Sequence, residues 1–136
     1  MDDRELVKEA IAAREKSYSP YSNFMVGAAL LAKSGKLYHG CNIENAAYGP
    51  TNCAERTAFF KAVSEGEREF IAIAVAGWAK GSQNPGYAYP CGVCRQVMME
   101  FCNPQTFKII VAAGENDFEC LTLEEILPHG FGPENL

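Results

Sequence analysis

Three cysteines and one glutamate have the residue types and the spacing from which metal chemistry can be built. Cys53 is followed two positions later by Glu55, and two residues separate Cys91 from Cys94. Cys53 and Cys91 each stand at the start of a predicted helix, where unpaired N–H groups and the positive end of the dipole favour thiolate over thiol. Zinc binds the thiolate, and three protein ligands leave its fourth tetrahedral position open for water, as in catalytic zinc sites.

Glu55 falls inside the first turn of its predicted helix, where a carboxylate can reach a metal-bound water without being a ligand. Zinc lowers the pKa of such a water. Glu55 would take up the released proton and later deliver protons to the substrate. Three thiolates leave a zinc site with a net negative charge, and we hypothesise that Arg56 and the helix starts offset part of it.

Each of these features also has a structural interpretation. Asn52-x-x-Glu55 fits a capping box, in which Glu55 only satisfies backbone donors. A lone C-x2-C pair fits a redox dithiol, or a structural zinc site with a fourth ligand among Cys41, Cys102, Cys120, His39 and His129. Cys102 and Cys120 lie in apolar sequence and are expected to be core thiols, and both histidines are expected at the surface. The combination of C-x-E at one helix start and P-C-x2-C at another favours catalysis.

The elements that must position these residues alternate between helix and strand. Helices are predicted over residues 3–17, 53–65, 91–101 and 123–127, and strands over 24–32, 36–42, 70–76, 107–112 and 118–121. A loop rich in Gly and Pro covers 78–90. This order predicts a single α/β domain over residues 1–136, a three-layer α-β-α sandwich around a mixed five-stranded sheet.

Composition and hydropathy argue against several classes of partner. The formal net charge of −5 argues against nucleic acid, whose binding is dominated by Lys and Arg. Apolar runs such as 71–77 are too short to cross a bilayer, and residues 1–5 lack the basic and apolar regions of a signal peptide. We therefore expect a cytoplasmic protein without a membrane partner, in which six cysteines indicate metal or redox chemistry.

Several blocks together resemble the zinc-dependent cytidine deaminases. The signature of the zinc nucleobase deaminases is H-x-E followed by P-C-x-x-C, with Cys allowed for His, and it matches 53–55 and 90–94. Residues 18–28, 40–48, 53–58, 94–96 and 127–131 look like the N-terminal, ribose-binding, two metal and C-terminal aromatic blocks of these enzymes. The short chain and the all-cysteine site are similar to their small homotetrameric branch.

The resemblance implies zinc-dependent hydrolytic deamination of cytidine and deoxycytidine to uridine and deoxyuridine, a reaction of pyrimidine salvage, with one Zn²⁺ per chain. Water would add at C4 of the ring and ammonia would leave, while Glu55 protonates N3. The backbone of Ala54 and the side chain of Glu55 would read the pyrimidine edge.

The same resemblance implies the residues that bind the nucleoside. Asn42 and Glu44 would hydrogen-bond the sugar hydroxyls, and Phe24 would pack against the nucleoside. Tyr48 and Phe131 would complete pockets of neighbouring subunits in a homotetramer with shared active sites. Taken alone, Phe24 also fits a core position, and Phe131 fits a surface aromatic.

Alternatives and departures remain. Another cytosine-bearing substrate, such as a nucleoside antibiotic or a nucleotide, fits the same signature, although no obvious phosphate cradle lies near Asn42. A non-catalytic zinc-stabilised module is the alternative from another class. Tyr89, in the segment 81–89, stands where the family often has a small residue, and the tail after Phe131 is short.

Overall fold

The computed structural model describes residues 1–136 as one mixed sheet with helices on both faces. The elements are α1 (Asp3–Arg14), β1 (Phe24–Ala32), β2 (Leu37–Cys41), α2 (Ala54–Ser64), β3 (Phe70–Ala79), α3 (Gly92–Phe101), β4 (Lys108–Gly114), β5 (Asp117–Thr122), α4 (Leu123–Ile126) and a 3-10 turn (Pro133–Asn135). The strand order is β2-β1-β3-β4-β5, and only β3 and β4 are parallel. The predicted fold class is confirmed.

Alternation along the central strands divides the core between the two faces of the sheet. Ile110 of β4 packs on the α1 side, whereas its neighbours Ile109 and Val111 pack on the side of α2, α3 and α4. Strands covered on both faces need apolar residues at every position, which explains the nearly continuous apolar runs of β1, β3 and β4. No helix is both long and apolar enough to cross a membrane.

Two elements end at residues other than the predicted ones because of contacts with distant parts of the chain. Helix α1 begins at the predicted Asp2 cap but ends at Arg14 rather than at residue 17, and the backbone N–H of Tyr18 instead donates to Asn42 O at 3.0 Å. Strand β3 continues to Ala79, beyond the predicted residue 76, because β1 pairs with it along its whole length. The C-terminal 3-10 turn was not predicted.

The two cysteines expected in the core differ in burial. Cys102 is buried, as predicted. The prediction for Cys120 is wrong, because this residue lies exposed on the edge strand β5, where its thiol donates to Asp3 Oδ2 at 3.3 Å. Apolar sequence neighbours do not ensure burial at an edge strand, since one of its sides has no partner strand.

Gly40 allows the first turn of α2 to pack directly on β2. A Cβ atom at this position would lie 2.3 Å from the carbonyl oxygen of Ala54 and 2.6 Å from the backbone nitrogen of Ala58. Both atoms belong to the α2 backbone and cannot rotate away as a side chain would. The position of the α2 start therefore depends on the missing side chain of Gly40.

We expect Gly40→Ala to lower the free energy of unfolding by about 1–3 kcal/mol, because the added methyl group overpacks a backbone contact. Thermal denaturation at one fixed protein concentration measures this change. Gly114→Ala is the matched control, since a Cβ there comes no closer than 4.0 Å to another residue, Asp117. Equal melting temperatures for the two variants would refute the close approach at Gly40.

Candidate active site

The three cysteines of the two predicted metal motifs converge at the starts of two helices. Cys53 is the N-cap of α2 and Cys91 the N-cap of α3, and neither side chain makes a capping hydrogen bond. The Sγ atoms of Cys53 and Cys91 lie 3.8 Å apart, and those of Cys91 and Cys94 lie 3.5 Å apart. A zinc ion ~2.3 Å from each of two sulfurs in tetrahedral geometry places them about 3.8 Å apart. The three cysteine side chains, which we call the thiol group, therefore fit a zinc ion.

The ligand group consists of three residues and stays open. Cys53, Cys91 and Cys94 form the only group of three or more Cys, His, Asp or Glu residues with ligand atoms within 4.8 Å of one another. No fourth side chain joins them, which contradicts the structural-site interpretation with a ligand from Cys41, Cys102, Cys120, His39 or His129. An open fourth position is the mark of a catalytic rather than a structural zinc site.

Charge around Cys53 favours its thiolate. The pKa of Cys53 falls to about 5, chiefly because the Cys94 thiol donates a hydrogen bond to it and further because Arg56 does, against the opposing effect of burial. The Nη2 atom of Arg56 lies 3.2 Å from Cys53 Sγ. The Cys94 thiol holds the proton of this hydrogen bond, and the pKa of Cys94 is therefore raised. Arg56 thus lies where the hypothesis of charge compensation requires it.

Glu55 lies beside the thiol group, where only 5% of its surface is exposed. Burial raises the pKa of its carboxyl group to about 7, within the range of a general acid–base residue at neutral pH. The capping-box interpretation is wrong, because the N-cap of α2 is Cys53 and not Asn52. The side-chain amide of Asn52 instead donates to Thr57 Oγ1 at 3.2 Å. Glu55 therefore does not belong to a capping box with Asn52.

Glu44 lies at the wall of an open cavity of about 350 Å³. Its Oε1 atom accepts from the backbone N–H groups of Tyr21 at 3.0 Å and Ser22 at 3.2 Å, and its Oε2 atom accepts from the Ser22 hydroxyl. That hydroxyl is the main cause of the lowered pKa of Glu44, which keeps the carboxylate ionised. The residues that line the cavity are Tyr21, Ser22, Glu44, Asn45, Tyr48 and Thr51.

Backbone and amide hydrogen bonds connect this cavity to the metal motif. The side chain of Asn42 donates to Phe24 O at 2.8 Å and accepts from Val26 N at 2.9 Å, which fixes the start of β1. Ile43 and Asn52 exchange two backbone hydrogen bonds of 2.9 Å each. Since Asn52 directly precedes the first cysteine of the thiol group, the predicted sugar block lies one residue from the metal motif.

The predicted aromatic residues occupy different places. Tyr48 lines the cavity of Glu44 within its own chain, with 75% of its surface exposed. Phe24 is 40% exposed, and the backbone of Ala54 is buried at the start of α2. Phe131 does not line the cavity: its side chain is 58% exposed and its carbonyl oxygen accepts from Gln96 Nε2 at 2.7 Å.

Four lining residues were missed as site residues. Tyr21, Ser22, Asn45 and Thr51 lie around Glu44. The first three belong to two of the five sequence blocks that carried the resemblance, so membership in these blocks was the available signal. Thr51 lies outside these blocks, and only the structure shows its place, with its hydroxyl accepting the backbone N–H of Asn45 at 3.1 Å.

Comparison with known proteins agrees with this geometry. The family described as "Cytidine and deoxycytidylate deaminase zinc-binding region" matches residues 1–111. The chain belongs to this family. It is 52% identical over 136 residues to a cytidine deaminase of Sporosarcina psychrophila, which covers all of this chain and 96% of that protein.

Solved structures show the same likeness. The crystal structure of a cytidine deaminase from Burkholderia pseudomallei matches with a TM-score of 0.86 and 48% identity, over 96% of this chain and 100% of that chain. A cytidine deaminase from Mycobacterium tuberculosis matches with a TM-score of 0.81 and 35% identity, over 97% of this chain and 98% of that chain. The family binds zinc, and the three-cysteine group of this chain fits that ion.

We expect Cys91→Ser to lose most of the bound zinc, because a hydroxyl is a far poorer ligand than a thiolate. Elemental analysis of the purified protein measures the zinc content per chain. Cys120→Ser is the matched control, since both cysteines are exposed and only Cys91 belongs to the thiol group. Full zinc content in the first variant, or loss of zinc in the control, would contradict the assignment.

Proposed function

We propose that this chain catalyses the hydrolytic deamination of cytidine and deoxycytidine to uridine and deoxyuridine with release of ammonia, as an enzyme of pyrimidine salvage. The open group of three thiols beside the buried Glu55 is the observation that carries this proposal. The substrate class is supported by relatives of matching length that are named cytidine deaminases.

Cys53, Cys91 and Cys94 would hold one Zn²⁺ per chain. When bound, the ion supplies a Lewis acid that makes water nucleophilic at neutral pH. Arg56, which donates to Cys53 Sγ, would offset part of the negative charge of the three thiolates. Because the negative charge at the site is then smaller, water there loses a proton more readily.

Glu55 would carry the protons of the reaction. It takes one proton from the attacking water and transfers it to N3 of the pyrimidine as oxygen adds at C4. It then takes the second proton of that water from the hydroxyl group on C4 and delivers it to the amino group, which leaves as ammonia as the C4–N bond breaks and the C4 carbonyl forms. A carboxyl group with a pKa of about 7 both accepts and donates at neutral pH. The backbone of Ala54, buried one residue before it, would help to read the pyrimidine edge.

The sugar would occupy the cavity beside Glu44, whose carboxylate is held by two backbone N–H groups. An ionised carboxylate accepts hydrogen bonds from sugar hydroxyls and repels a phosphate, which favours a nucleoside over a nucleotide. Asn42 would assist through its side-chain amide. Phe24, which begins β1 with an exposed ring, would supply the apolar contact with the nucleoside.

A homotetramer with shared active sites would account for Phe131. This ring is more than half exposed and lies outside the cavity of its own chain, so a neighbouring subunit would place it against that subunit's nucleoside. Tyr48 would contribute from the mouth of the cavity. We also propose a cytoplasmic location, because a reducing compartment keeps all six thiols free.

Glu55→Gln is expected to reduce the turnover of cytidine by about 10²–10⁴-fold, since the amide cannot transfer protons. The fall in ultraviolet absorbance as cytidine becomes uridine measures the rate, and elemental analysis measures the zinc. Zinc content should stay at that of the unchanged chain. Substantial residual turnover with zinc in place would refute the proton-carrying role.

A second prediction concerns the shared site. Glu55→Gln and Phe131→Ala each reduce activity alone, but subunits of the two variants mixed and reassembled should exceed the mean activity of the separate variants, because some mixed sites carry neither change. Sedimentation measures the assembly, and the absorbance assay measures activity. If mixing gives no gain in reassembled oligomers, Phe131 acts within its own chain or not at all.

A further inference from the structure

Residues 86–89, Gly-Tyr-Ala-Tyr, form a segment that we call the strap, and it lies between the end of β3 and the start of α3. Its backbone takes part in no backbone–backbone hydrogen bond. Two side-chain hydrogen bonds hold it: the Tyr87 hydroxyl donates to the Asp117 carboxylate, and the Tyr89 hydroxyl donates to the Glu119 carboxylate. Both acceptors belong to β5, so the strap is attached to the sheet through its tyrosines.

The residue between the two tyrosines contacts a different strand. A Cβ atom placed on Gly77 of β3 would lie 3.0 Å from the Ala88 methyl group and 3.2 Å from Cε1 of Phe24. Ala88 and the Phe24 ring therefore both lie over the one position of β3 that has no side chain, together with Cγ2 of Val26 at 3.0 Å from the same Cβ. Alternate residues of the strap thus contact β5 and β3, as alternate side chains of an extended segment do.

Hydrogen bonds fix the chain before and after the strap, whereas the strap itself is held by its tyrosines. Before it, Lys80 N donates to Asn23 O at 2.8 Å, and after it Arg95 Nε donates to Pro90 O at 2.7 Å. The segment between these points is rich in Gly and Pro and contains no helix or strand. Without the two phenol hydroxyls, the Ala88 contact would exist in only part of the population.

We propose that the strap is a positioning element for Phe24, in which Tyr87 and Tyr89 hold Ala88 over Gly77, where the Phe24 ring also lies, and so fix the apolar wall of the nucleoside site. This inference rests on the proposed contact between Phe24 and the nucleoside. Tyr87 and Tyr89 act through Ala88, and their hydroxyls donate to carboxylates of β5 rather than to the metal-binding cysteines. They are positioning residues for ground-state binding, and they leave the proton transfers of Glu55 untouched.

The double variant Tyr87→Phe/Tyr89→Phe tests this role, because it keeps both rings and removes both hydrogen bonds. If the competent arrangement of the wall falls to a fraction of the population, apparent affinity falls by that fraction, and we expect KM for cytidine to rise about 3- to 10-fold. The value of kcat should stay within about 2-fold, because the lost contact acts equally on ground state and transition state.

Tyr38→Phe is the matched control, since the Tyr38 hydroxyl also donates to a carboxylate, that of Glu67 at 3.1 Å, far along the chain from the strap. It should lower the melting temperature without changing KM. A KM that rises equally in this control would mean that loss of stability causes the effect, and the strap proposal would be overturned. An unchanged KM in the strap variant would also overturn it.

The same pair of tyrosine changes in a Phe24→Ala background separates the strap from the proposed function. If the strap acts through Phe24, the tyrosine changes should raise KM little further in that background. An equal rise in both backgrounds would overturn the proposal. Deamination of cytidine by the unchanged, zinc-loaded chain is measured before any variant. Failure of that chain to deaminate cytidine would instead refute the proposed function.

Discussion

The starts of two helices, α2 and α3, must bring three sulfur atoms to three corners of one tetrahedron. Each helix supplies a cysteine as its N-cap residue, and Cys94 adds the third sulfur from the first turn of α3. At such a start the backbone N–H groups lack partners within the helix and favour a negative charge. The fold therefore collects negative charge where its backbone stabilises that charge best, and Arg56 lies beside the same sulfur atoms.

The sheet determines how closely these helix starts approach. Both helices lie on one face, and α2 packs on β2 so closely that Gly40 has no room for a side chain. The backbone bonds between Ile43 and Asn52 then hold the sugar block one residue from the thiol group. The same packed elements thus present the metal ligands, the buried Glu55 and the wall of the nucleoside cavity together. Groups that packing and hydrogen bonds already hold in place cost less to order when they bind and react.

The sequence predicted which residues carry the chemistry of the site better than it predicted how the fold surrounds those residues. The C-x-E and P-C-x2-C motifs are local, and their meaning depends only on lying at helix starts, which periodicity and capping residues indicate. The N-cap of α2, which is Cys53 rather than Asn52, decided between the two interpretations of Glu55, and the exact first residue of a helix is among the features that a single sequence predicts least well. The exposure of Cys120 depends on β5 being an edge strand, and strand order is a property of the whole fold.

The contacts of the strap and the end of β3 likewise could not be predicted from the sequence. Gly and Pro residues predicted a loop over 78–90, yet β1 pairs with β3 as far as Ala79, and Tyr87 and Tyr89 reach carboxylates about thirty residues later in the chain. Contacts between residues so distant in sequence leave no local pattern. Gly77 is informative only when Ala88 and the Phe24 ring are seen above it.

X-ray absorption spectroscopy at the zinc edge of the purified, active protein tests the central arrangement most directly. Three protein thiolates and an open fourth position predict three sulfur atoms at about 2.3 Å and one oxygen or nitrogen atom at about 2.0 Å from the metal. Four sulfur atoms around zinc would contradict this arrangement, because a saturated site leaves no position at which water can be activated.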